Sequence, residues 1–262
     1  MNISKVNLVN FIFIFLFLIG CKDQDVIYPP QPHVEFENIV YEEQQLPARS
    51  SLFITFSVTD GDLDVGLEMN QTDFPFHFAY FYLKKDGSRI SSDKLERGEV
   101  GHNELIQVED RLVAPFDTLP DPATSCKYFS HNYGESPDYK SVQLYADLNE
   151  NYSNLFVKLL LKEQDGSFAE EDLSADCFYN RNGRIPPLNG LTVGKDYVTG
   201  PFKIALYSQQ KGRITYEISS YFSAFKSRTL KAQLFVKDRA LNISNIIETP
   251  EFSLWNKYLY SW

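Results

Sequence analysis

The chain returns again and again to one pattern, apolar and polar residues in strict alternation. In SLFITFSVT, Leu52, Ile54, Phe56 and Val58 share one side, and Phe53, Thr55, Ser57 and Thr59 share the other. RITYEIS sets Ile214, Tyr216 and Ile218 against Arg213, Thr215, Glu217 and Ser219. TLKAQLFVK sets Leu230, Ala232, Leu234 and Val236 against Lys231, Gln233 and Lys237. A period of two turns one face of an extended strand to a core and the other to water, which a helix cannot do. Further strands are expected near 34–42, 76–84, 105–113, 141–147, 155–161, 201–207 and 246–254. No long segment carries a 3.6 period, and turn signals such as KKDGS and EQDGS punctuate the runs. The pattern specifies an all-β chain folded as an antiparallel β-sandwich. FHFAYFYLK is apolar on both faces and is expected as a central strand. The stretch about 88–140, rich in Asp, Pro, Gly and Ser, is expected as a long insertion, so that 33–262 forms a single elaborated domain.

The N-terminus, MNISKVNLVNFIFIFLFLIGCK, has one charged residue before Cys21, Lys5, then an apolar run from Phe11 to Ile19, then Gly20 and Cys21. That run falls short of the ~20 residues that span a bilayer, and the layout is that of a secretory signal. The ending Leu18-Ile19-Gly20-Cys21 resembles the lipobox of bacterial lipoproteins. The resemblance implies that 1–20 is a signal peptide removed on export and that Cys21 is lipidated. It also implies that 21–32 is a flexible tether and that the body sits at a Gram-negative outer membrane, facing periplasm or cell surface. Acyl chains contribute about 0.8 kcal/mol per buried CH₂, enough for two or three of them to hold a protein on a membrane.

Without residues 1–20 the chain carries 24 basic and 35 acidic side chains, a net charge of −11. Such a surface repels nucleic acid, and no basic cluster offsets it. With Cys21 assigned to lipid, Cys126 and Cys177 remain, and an even remainder in an exported chain favours a disulfide. On a loop-entropy argument that bridge constrains the unfolded chain by roughly 4 kcal/mol; two buried free thiols are the alternative.

FSVTDGDLDVGL ends a predicted strand in Asp60, Asp62 and Asp64, and LFVKDRALNISN ends another in Asp238. These two strand ends resemble those of immunoglobulin-like domains of bacterial surface proteins, in which the second strand runs into an acidic loop and the penultimate one into a D-x-x-x-N-x-S turn. The resemblance implies that both loops lie at one end of the sandwich, since the two strands run in the same direction. Asp60, Asp62, Asp64, Asp238 and the carbonyl of Asn242 would then offer the oxygens that Ca²⁺ requires. An EF-hand is excluded: Val65 stands where that loop needs glycine, and Gln71 where it needs a bidentate Glu. The competing reading is a polar turn that ends a strand with its charges in water. NGRIPPL (182–188) and KDRALNISN also resemble segments of uncharacterised surface lipoproteins.

His33, His77, His102 and His131 stand apart in no zinc pattern, and no G-x-S-x-G or Gly-rich phosphate loop is present. Trp255, Tyr258, Tyr260 and Trp262 form an aromatic cluster that either stacks on sugar rings or caps the core. The expectation is a non-catalytic binding or accessory module on a lipid anchor, Ca²⁺-stabilised, whose ligand is a glycan or an envelope protein. The alternative is a glycan-acting surface hydrolase with two carboxylates in a cleft made by the insertion.

Overall fold

The computed structural model describes residues 28–43, 50–68, 70–71, 74–123, 127–133, 142–171, 181–220, 222–225, 227–254 and 260–261. The strands are β1 (His33–Glu42), β2 (Ser50–Thr59), β3 (Tyr80–Leu83), β4 (Arg89–Ile90), β5 (Tyr128–Tyr133), β6 (Val142–Leu148), β7 (Leu155–Lys162) and β8 (Phe168–Glu170). They continue as β9 (Asp196–Thr199), β10 (Phe202–Ser208), β11 (Lys211–Ser220), β12 (Thr229–Val236), β13 (Ile247–Glu248), β14 (Phe252–Ser253) and β15 (Tyr260–Ser261). One short helix, α1 (Ser92–Glu96), and three 3₁₀ turns complete the regular structure of the described residues. None of the described helices is long and apolar enough to cross a membrane.

Two sheets form the sandwich, in the orders β15-β1-β2-β11-β10-β9 and β13-β12-β7-β8. All the strand pairs are antiparallel. Lettered along the chain, β1, β2, β7, β8, β10, β11, β12 and β13 are A, B, C, C′, D, E, F and G. The sheets then read A-B-E-D and G-F-C-C′, the immunoglobulin-like arrangement. The alternation predicted from sequence decides which residues meet between them. Leu52, Ile54 and Phe56 on β2, Ile214 on β11, and Leu230, Ala232 and Val236 on β12 are all 0% exposed and belong to one apolar cluster. Each buried Ile, Leu or Phe contributes roughly 1.5–3 kcal/mol, which fixes the register: a slip by one residue would turn the whole set to water.

Between B and C the chain leaves the sandwich and builds a third sheet, β4-β3-β6-β5, with its own core of Tyr82, Ile90, Leu95, Leu105, Leu144 and Ala146. This corrects the expected limits of the insertion, because its strands run from Tyr80 to Leu148 and so exceed 88–140. FHFAYFYLK is likewise not a central sandwich strand. Only Tyr80–Leu83 is extended, between β4 and β6, and its apolar residues serve the inserted core. The segment 105–113 is no strand either: Val108–Leu112 is a 3₁₀ turn, closed by the Asp110 carboxylate accepting the Gln107 N–H at 2.8 Å. The expected strand at 246–254 is broken into β13 and β14 around Pro250, which cannot donate to a ladder.

Candidate metal centre

β2 delivers Asp60 at the end of the B strand, where the side chain is 0% exposed. Its Oδ2 accepts the Val65 N–H at 3.0 Å, folding 60–65 into a tight loop, while Oδ1 is buried and accepts no hydrogen bond. Leu63 takes φ 53, a left-handed conformation that a leucine adopts only when its surroundings hold it there. The hold comes from burial: Leu63, Val65 and Leu67 are 6%, 0% and 1% exposed. Leu67 N–H donates to Ile185 O at 2.8 Å, so the NGRIPPL segment seals the loop from beneath. Gly66, at φ +136, lies so close that a Cβ there would be 2.6 Å from both Pro186 O and Pro187 Cα. Arg184 of the same segment donates to the carbonyls of Glu68, Phe76 and Tyr152 and lies over the Tyr152 ring. It ties the loop to the root of the insertion.

This anchoring makes Asp60, Asp62 and Asp64 converge. One oxygen from each lies within 4.8 Å of the others, and no other group of three acidic, histidine or cysteine side chains converges so among the described residues. Asp60 is buried, Asp62 exposed and Asp64 half-buried, which makes a site closed behind and open in front. Asp64 Oδ1, like Asp60 Oδ1, is buried and accepts no hydrogen bond. Burial pushes the Asp60 carboxyl up to about 7; the charges of Asp62 and Asp64 add to the rise, and the Val65 N–H opposes it. Asp64 is also raised, first by burial and then by Asp238 and Asp62. Buried acceptor oxygens without donors are costly unless a cation or a proton meets them. Three carboxylate oxygens, with water on the Asp62 side, suit a hard divalent cation such as Ca²⁺.

The penultimate strand does end beside this loop, as the common direction of B and F implies. Arg239 Nε donates to Asp64 O at 3.2 Å. Asp238 and Asn242, however, are turned to each other. Asp238 Oδ1 accepts the Asn242 N–H at 2.7 Å, Oδ2 accepts Asn242 Nδ2 at 2.8 Å, and Asn242 O accepts the Asp238 N–H at 3.1 Å. That closed turn places the pair behind the cluster, with Asp238 acting on Asp64 through its charge. The expected five-residue ligand set therefore contracts to three aspartates.

Cys21, Cys126, Cys177, Trp255, Tyr258 and Trp262 lie outside the described residues. Tyr260 falls in β15, opposite Ile39. A feature that sequence reading missed is a groove of about 400 Å³ on the outer face of the larger sheet, lined by Glu37, Thr55, Asp196, Lys203, Arg213 and Thr215. Its carboxylates are engaged: Arg213 pairs with Glu37 at 2.5 Å, and Lys203 with Asp196 at 3.4 Å. Alternation marked Thr55, Arg213 and Thr215 as facing away from the core, but only the strand order puts them beside Glu37, Asp196 and Lys203. No family model, curated protein or solved structure matches the chain.

Proposed function

We propose that this protein is a non-catalytic module of the bacterial cell envelope, held at the outer membrane by lipid on Cys21 and stiffened by Ca²⁺ at one pole of its immunoglobulin-like sandwich. The observation that carries the reading is the convergence of Asp60, Asp62 and Asp64 with two buried oxygens that accept no hydrogen bond. A turn that merely ends a strand leaves its carboxylates in water; this one buries Asp60, half-buries Asp64 and brings both to the exposed Asp62. The module presents its sheets to a glycan or an envelope protein, and the Cys126–Cys177 bridge adds a covalent restraint. The alternative, a glycan-acting hydrolase, would use two carboxylates in a cleft of the insertion; in the groove on the outer sheet face the carboxylates Glu37 and Asp196 are paired with Arg213 and Lys203.

The test is thermal unfolding of residues 22–262 in EDTA and in millimolar Ca²⁺, beside an Asp62→Asn, Asp64→Asn variant. Binding to the native state alone stabilises it by RT ln(1 + [L]/Kd), about 2.7 kcal/mol at a hundredfold excess over Kd. The wild-type midpoint should then rise by roughly 5–10 °C and the variant should not respond. Equal midpoints in the two buffers would remove the metal from the account.

A further inference from the structure

The loop that carries the three aspartates also holds the chain that leads into β1. Gly61 stands between Asp60 and Asp62, and both its N–H and its carbonyl are engaged. The N–H donates to Pro29 O at 2.9 Å, and the carbonyl accepts Gln210 Nε2 at 2.7 Å. Asp60 N–H donates in turn to Gln210 O at 3.0 Å. A Cβ on Gly61 would lie 2.4 Å from Tyr28 O and 2.8 Å from Pro29 O, so the two backbones touch with nothing between them. Gln31 Nε2 then donates to Ile243 O at 2.7 Å, in the turn that follows β12. The segment therefore lies across both loops that frame the carboxylates.

Pro29, Pro30 and Gln31 are exposed and only Tyr28 is half-buried, so hydrogen bonds do much of the holding in this segment. Each such bond contributes only about 1 kcal/mol net, which puts the strap among the parts of a fold that open first. What orients it is the Gly61 peptide, and that peptide is flanked by two of the three converging aspartates. When Asp60 and Asp62 reach for one ion, the backbone between them is fixed, with its N–H aimed at Pro29. When the ion leaves, the three carboxylates repel, and the same peptide is the nearest part of the loop able to turn.

We propose that a divalent cation bound by Asp60, Asp62 and Asp64 locks Tyr28–Gln31 onto the pole of the sandwich, and that loss of the cation frees this segment; the proposal rests on the cation reading above. The segment lies next to the residues that join the sandwich to Cys21. The cation thus sets whether Tyr28–Gln31, which fall in the stretch 21–32 expected as a flexible tether, are tied to the body or left with the chain that leads to Cys21. Coupling is reciprocal, so whatever frees the strap must also weaken the cation by the same factor.

The experiment is digestion of the full chain in detergent micelles with a proline-specific serine endoprotease, which needs no metal, in 2 mM Ca²⁺ or in EDTA. Mass spectrometry times the cut between Pro30 and Gln31, and the thermal midpoint is read in the same two buffers. The expected result is a cut at least tenfold slower in Ca²⁺. Gly61→Ala, whose Cβ would push Tyr28 and Pro29 away, should be cut at the EDTA rate in both buffers. Gln31→Ala, which removes the second strap and leaves the loop untouched, should lose most of the protection and stands in if Gly61→Ala does not fold. A midpoint raised by Ca²⁺ with equal cutting rates overturns the strap and leaves the site. A midpoint that ignores Ca²⁺ overturns the site and the strap with it. Full tenfold protection in Gln31→Ala overturns the strap as drawn.

Discussion

Replacing Asp60 with Asn should stabilise the cation-free protein at pH 8 while abolishing its response to Ca²⁺. In the native state burial and two neighbouring carboxylates lift the Asp60 carboxyl from 3.8 to about 7. The native state therefore binds more protons than the unfolded chain between about pH 4 and 7, and stability falls as pH rises through that window. A lift of roughly three units corresponds to at most about 4 kcal/mol, taken at 1.36 kcal/mol per unit. Asparagine carries no such burden. Its Oδ1 can keep the Val65 N–H, and its amide would lie where Asp60 Oδ1 now has no donor. Urea unfolding in EDTA at pH 8 should therefore show the variant about 2–4 kcal/mol more stable than wild type. At about pH 3.5, where Asp60 is protonated in the native state and largely so in the unfolded chain, that gain should all but vanish. Added Ca²⁺ should raise wild type alone. The reasoning is refuted if the variant is less stable by the same amount in EDTA and Ca²⁺ and at both pH values, which is how a lost turn hydrogen bond would behave.

Gly66→Ala should cost about 2 kcal/mol or more in urea unfolding, because φ +136 and contacts of 2.6 Å to Pro186 and Pro187 leave no room for a Cβ. Glu171→Ala should cost about 3 kcal/mol, since it strands Arg181, 8% exposed and paired to Glu171 at 2.8 Å; a loss under about 1 kcal/mol would mean that water reaches the guanidinium. Cys21→Ala should move the protein from membrane to soluble fractions, and continued sedimentation with membranes would sink the lipid anchor. Peptide mapping without reductant should recover Cys126 joined to Cys177, and two free thiols would remove the bridge.

The sandwich was legible because β2, β11 and β12 each turn apolar side chains to one face and mostly polar ones to the other, which is a period of two. The resemblance of β2 and β12 to the B and F strands of an immunoglobulin-like domain, which run in the same direction, also implied that their two loops meet. The insertion was less so. FHFAYFYLK is apolar on both sides whether it lies in the main core or in a small one of its own, and nothing local distinguishes these. The three aspartates were visible as a cluster of charge, but their inward turn depends on Val65, Leu67 and the NGRIPPL segment pulling the loop down. Asp238 and Asn242 had the right chemistry for ligands, and a strand end that must satisfy its own N–H groups used them first. Gln210, Pro29 and Gln31 gave no signal, since each acts on a residue far away in sequence that only the sheet order brings near.

The most direct measurement of the central claim is calorimetric titration of Ca²⁺ into the metal-stripped protein, beside the Asp62→Asn, Asp64→Asn variant. One saturable site per chain is expected, absent from the variant and weakened in Gly61→Ala. Heat no greater than dilution in the wild type, or the same binding in wild type and variant, would contradict it.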